Sequence, residues 1–97
     1  MMFDLSKYGF SKYFENSASC FWEMNLHDTL TPSKIVVLSS VLSSGNWCYD
    51  IRIDSGEHSL VVANRYECET EEQLQFLLTG SIRLSPFILV QKHECQN

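Results

Sequence analysis

The side chains able to do chemistry in this chain are three histidines (His27, His58, His93), four cysteines (Cys20, Cys48, Cys68, Cys95) and twelve carboxylates. Nucleophilic catalysis would pair a cysteine or serine with a histidine, and none of the histidines stands in a recognisable nucleophile motif. His58 falls beside an expected hairpin turn and His27 closes an expected strand, places that suit solvated residues better than catalytic bases. The cysteines are spaced by 28, 20 and 27 positions, none of which is the short spacing of a structural zinc site. His93-Glu94-Cys95 is the one tight cluster, read either as a lone metal half-site or as a solvated tail. Glycines at 9, 45, 56 and 80 form no phosphate loop. The expectation is a protein that is not an enzyme and uses no metal or cofactor.

What the sequence does concentrate is charge. Over 97 residues the net charge is −5, with 44% hydrophobic and 20% charged side chains, an ordinary globular balance. Residues 50–72 hold Asp50, Asp54, Glu57, Glu67, Glu69, Glu71 and Glu72 against Arg52 and Arg65, while the rest of the chain has five charges of each sign. All of the excess therefore lies in one stretch. Alternate residues on a strand are roughly 6.6 Å apart, close to the spacing of backbone phosphates, so such a row can imitate a phosphate track and be drawn to a basic groove. The alternative is a solvated face: Glu71 and Glu72 suit the first turn of a helix, and Arg52 can pair with its acidic neighbours. A net negative domain lacks the clustered Lys and Arg that duplex binding needs. No run of about 18 apolar residues is present to cross a membrane. Met1 to Glu15 has no unbroken apolar core of a secretory signal, so thiols reduced in a cytoplasm are expected, with Cys48 and Cys68 as semi-buried apolar groups.

The elements that must carry these residues follow from periodicity. Phe10, Tyr13 and Phe14 have the i, i+3, i+4 spacing of a short amphipathic helix, which Gly9 weakens. Cys20, Trp22, Met24 and Leu26 alternate as in a strand with one buried face. Thr31-Pro32 suits a helix start, Ile35, Leu38, Val41 and Leu42 share a helical face, and Gly45 suits the residue after its end. A strand through Ile35-Val36-Val37-Leu38 is the competing reading, favoured by its β-branched content. Trp47, Tyr49, Ile51 and Ile53 alternate with Cys48, Asp50, Arg52 and Asp54. A Ser55-Gly56 turn then returns the chain through His58 to Tyr66, pairing Ile51 with Leu60 and Tyr49 with Val62. Thr70 with Gln73 forms a capping box ahead of Leu74, Leu77 and Leu78, with Gly80 at the end. Pro86-Phe87-Ile88-Leu89-Val90 reads as a last strand.

In order this is an α+β, ferredoxin-like (split βαβ) domain: a four-stranded antiparallel sheet with two helices on one face, plus a short N-terminal helical extension. The expected organisation is a single domain over 1–97, with the aromatic-rich extension at 1–16, the βαββαβ core at 19–92 and a tail at 93–97. The third strand, His58 to Tyr66, lacks the aromatic motif by which RNA-binding domains of this shape stack bases. The chain also has no Cys-x-x-Cys loop of a metallochaperone.

A small acidic domain with a hairpin running into Thr70-Glu71-Glu72-Gln73-Leu74 resembles, in size, charge and architecture, the small anti-CRISPR proteins encoded by phages. The resemblance implies a non-enzymatic inhibitor in a bacterial host cytoplasm. It would occupy a basic nucleic-acid-binding surface of a CRISPR effector complex as a DNA mimic, without itself binding nucleic acid. The residues expected to carry that contact, from the charge reading, are Asp50, Asp54, Glu57, Glu67, Glu69, Glu71 and Glu72. An immunity protein or antitoxin covering a basic nuclease toxin is the alternative function.

Overall fold

The computed structural model describes residues 3–26 and 32–80. After a 3₁₀ turn at Leu5–Tyr8 come five strands: β1 (Ser11–Glu15), β2 (Ser19–Leu26), β3 (Ser33–Val41), β4 (Trp47–Ser55) and β5 (His58–Glu67). A helix, α1, follows at 71–80. The strands form one sheet in the order β1-β2-β3-β4-β5 with every neighbour antiparallel. This is a five-stranded meander with one helix among the described residues, not the four-stranded ferredoxin-like sheet with two helices.

Two segments expected to be helical are strands. Ser33–Val41 pairs along its whole length with β2 on one side and β4 on the other. Its apolar residues lie on both faces, Ile35 and Val37 on one and Val36 on the other, all nearly inaccessible. A central strand buried on both sides shows no alternation, so its apolar run also fits a helical period. Gly45, with φ +90°, belongs to the β3–β4 loop, where its N–H donates to the Leu42 carbonyl at 2.9 Å. At the N-terminus, Gly9 (φ +94°) ends the 3₁₀ turn by donating to the Leu5 and Ser6 carbonyls, and the chain then enters β1. A bulge between Lys12 and Phe14 turns both Tyr13 and Phe14 toward Phe21, with ring centroids at 5.7 and 5.9 Å.

The β4–β5 hairpin forms with a shifted register. Ser55 faces His58, so the loop is Gly56-Glu57, with Gly56 at φ +61° as a two-residue loop of the primed kind requires. Ile53 then lies opposite Leu60, Ile51 opposite Ala63 and Tyr49 opposite Tyr66. The shift at the turn is two residues, an even number, so the apolar faces still match.

The core occupies one face of the sheet. Cys20 and Trp22 of β2, Ile35 and Val37 of β3, and Tyr49, Ile51 and Ile53 of β4 pack against Leu5, Phe10, Cys68, Leu74 and Leu78. The N-terminal turn and α1 thus cover this face. Phe21, Glu23, Val36, Leu38, Asp50, Arg52 and Val61 project from the opposite face. Pro86 to Val90, the tail at 93–97, His27, Cys95 and the Thr31 cap lie outside the described residues, and so does the outcome at Gly80, the last residue of α1 described.

Candidate functional site

The capping box at the start of α1 forms as its sequence requires. The Gln73 N–H donates to Thr70 Oγ1 at 3.3 Å, and Gln73 Oε1 accepts from the N–H groups of Thr70 (3.4 Å) and Glu69 (3.0 Å). All three amides are satisfied locally, which fixes where β5 ends and the helix begins. Glu67, Glu69, Glu71 and Glu72 are thereby gathered at one end of the sheet. Glu67 lies opposite Cys48, whereas Asp54 lies opposite Ser59, near the Gly56-Glu57 loop. Six residues of β4 separate those rows, about 20 Å at 3.3 Å per residue. The seven carboxylates therefore form two groups at opposite ends of the hairpin with Asp50 between them, rather than one continuous row.

Their surroundings differ. Asp50 Oδ1 accepts the Arg65 N–H at 2.8 Å, and Arg65 holds a left-handed φ of +55° where β5 bulges. Arg52 Nε donates to both Asp54 oxygens at 3.1 Å, and Ser59 Oγ donates to the same carboxylate at 2.8 Å. Glu67 accepts from Asn46 Nδ2. Glu71 pairs with Lys7, and that hydrogen bond lifts the Lys7 ammonium above its ordinary pKa. Glu57, Glu69 and Glu72 have no side-chain partner among the described residues. Four carboxylates are thus partnered within the fold, and three face outward with no partner among the described residues.

At the α1 end a hollow of about 490 Å³ opens between the N-terminal segment, the β3–β4 loop and the helix start, lined by Phe3, Asn46, Trp47, Cys68, Glu69, Thr70 and Glu71. Carboxylates beside two aromatic side chains suit the stem and charged head of a lysine or arginine. Cys68 is buried in that wall, and its burial pushes the thiol up to about 11. Cys20, Cys48 and Cys68 are all buried free thiols. Among the described residues, no three His, Cys, Asp or Glu side chains stand close enough together to hold a metal ion, and no helix is long and apolar enough to cross a membrane.

One surface was missed in the sequence. On the open face a groove of about 340 Å³ runs over Phe21, Val36, Leu38 and Val61, with Asp50 and Arg52 in its walls. Phe21 falls on the face opposite Cys20, Trp22 and Met24, and its bulk, with Val36 and Leu38 on alternate residues of β3, is the signal for this surface in the sequence. The chain matches no protein-family model, no curated protein and no solved structure.

Proposed function

We propose that this chain is a non-enzymatic binding protein that docks its acidic end, centred on Glu69 and Glu72 at the β5–α1 junction, on a basic protein surface. The observation that carries this reading is the hollow beside Glu69. It combines carboxylates with the aromatic side chains of Phe3 and Trp47, and the Glu69 carboxylate has no partner among the described residues. An acidic surface steers toward positive potential and competes with nucleic acid for the same groove. In its specific form the proposal is an inhibitor of target-DNA binding by a bacterial CRISPR effector complex, acting in the host cytoplasm as a DNA mimic. Asp50, Asp54 and Glu67 then contribute to the field while being held within the fold, and Glu57 extends it at the far end of the hairpin.

The test is a gel-shift competition. Purified CRISPR effector complexes are bound to target DNA and challenged with the intact protein. Displacement of DNA by the wild type, lost in a Glu69→Lys/Glu72→Lys variant, is the expected result. Undisturbed DNA binding across the effector panel removes the inhibitor reading. Protection against a basic nuclease in its place assigns the surface to an immunity function.

A further inference from the structure

The open face of the sheet differs from the acidic end in the signs of its charges. Across it, in register, run three rows: Phe21, Leu38, Asp50; then Glu23, Val36, Arg52, Val61; then Asn25, Lys34, Asp54, Ser59. The middle row carries a negative charge on β2, an apolar residue on the central strand β3 and a positive charge on β4. Around it lie large apolar surfaces in water: Val61 is 65% exposed, Tyr13 53% and Phe14 49%.

From this pattern we infer that the open face is a homodimer interface, occupied by the same face of a second copy about a two-fold axis parallel to the strands. Such an axis sets β3 on β3 and β2 on β4. Leu38 then meets its own copy near the axis, beside the already buried Val36, and Glu23 of each copy faces Arg52 of the other. The competing axis, across the strands, would place Glu23 on Glu23 and Arg52 on Arg52, so the charges select between the two. Within each chain Lys34 pairs with Glu23 at 3.2 Å and Arg52 pairs with Asp54 at 3.1 Å. Each Glu23–Arg52 contact across the axis therefore completes a row of four alternating charges. The two Lys34 side chains approach each other near the rim, each already held by its own Glu23. Five strands about 4.8 Å apart and eight residues long give a face of about 19 by 26 Å. Two such faces bury on the order of 1,000 Å², the lower bound for a specific interface, in the aligned packing of a β-sandwich. This axis also brings both acidic ends to the same end of the dimer.

Sedimentation equilibrium of the full chain across micromolar concentrations, with circular dichroism as a check on folding, tests the inference. A mass of twice 11.2 kDa is expected. Glu23→Arg and Arg52→Glu should each raise the dissociation constant at least about tenfold, and reversing all four charges of the row (Glu23→Arg, Lys34→Glu, Arg52→Glu, Asp54→Arg) should restore it to within about threefold, because the alternation within and between chains is then kept with its signs reversed. Val61→Glu, at an exposed site that tolerates a charge in the monomer, should also dissociate the dimer. A wild-type monomer at every concentration overturns the inference, as does a folded four-charge reversal that fails to re-associate. Glu69→Lys/Glu72→Lys should leave the dimer intact, so failure of the acidic-end reading is distinguishable from failure of this one.

Discussion

Tyr49 is inaccessible to solvent at the centre of the covered face, and burial pushes its phenol up to about 12; the Phe3 N–H that donates to its oxygen at 3.4 Å pulls the other way. Cys68, raised by burial to about 11, titrates in the same direction. In both, the neutral form belongs to the folded state. Their contribution is complete below the ordinary values of 9.0 for the thiol and 10.0 for the phenol, and is lost as pH rises through about 11 and 12. Each is worth on the order of 2–3 kcal/mol. The urea midpoint should hold up to pH 9 and then fall steeply, and Cys68→Ala should remove the earlier part of the fall. A midpoint flat through pH 11 would contradict this. The acidic side chains also divide at this scale. Asp50→Ala strips the acceptor from the exposed Arg65 N–H and should cost about 1 kcal/mol. Glu69→Gln should change stability by less than about 0.5 kcal/mol. Chemical denaturation of the two variants reads the difference directly. Thr70 and Gln73 were legible in the sequence because a capping box closes within four residues. The role of Asp50 was not, because its partner is created by a bulge fifteen residues away.

Strands β2 and β4 could be read from alternation because each buries one face more completely than the other. β3 could not, because it lies between them and is apolar on both sides; Ile35, Leu38, Val41 and Leu42 then coincide with a helical stripe. One substitution separates the two architectures. In the helical reading Val37 points away from the buried stripe and tolerates truncation. In the sheet it is fully buried between Trp22 and Ile51, and Val37→Ala should cost about 2 kcal/mol. A near-neutral urea denaturation result would favour the helix. β1 was misread for a related reason: its bulge sets Tyr13 and Phe14 together over Phe21, so adjacent aromatics share a side and imitate a helical spacing. The hairpin shows how much error a strand pattern tolerates. Its turn falls one residue later than expected and the register shifts twice more at bulges in β5, yet alternation within β4 itself kept its buried face correct although every pairing changed.

At the scale of the whole molecule the fold sorts its surfaces. One sheet face packs under the N-terminal turn and α1. The other carries apolar side chains and charges of both signs, and the acidic excess is split between the hairpin tip and the β5–α1 end. The net charge was legible from composition and its confinement to residues 50–72 from position. Its division into two groups about 20 Å apart was not, since strand length and pairing decide which carboxylates become neighbours. The account rests on Glu57, Glu69 and Glu72, which have no side-chain partner among the described residues, making the contact. The most direct measurement is a titration of a DNA-displaced CRISPR effector complex with the wild type and a Glu57→Gln/Glu69→Gln/Glu72→Gln variant over a salt series. Binding that weakens steeply with salt, and at least about tenfold in the variant, is the predicted result. Equal, salt-independent binding by both proteins would contradict it.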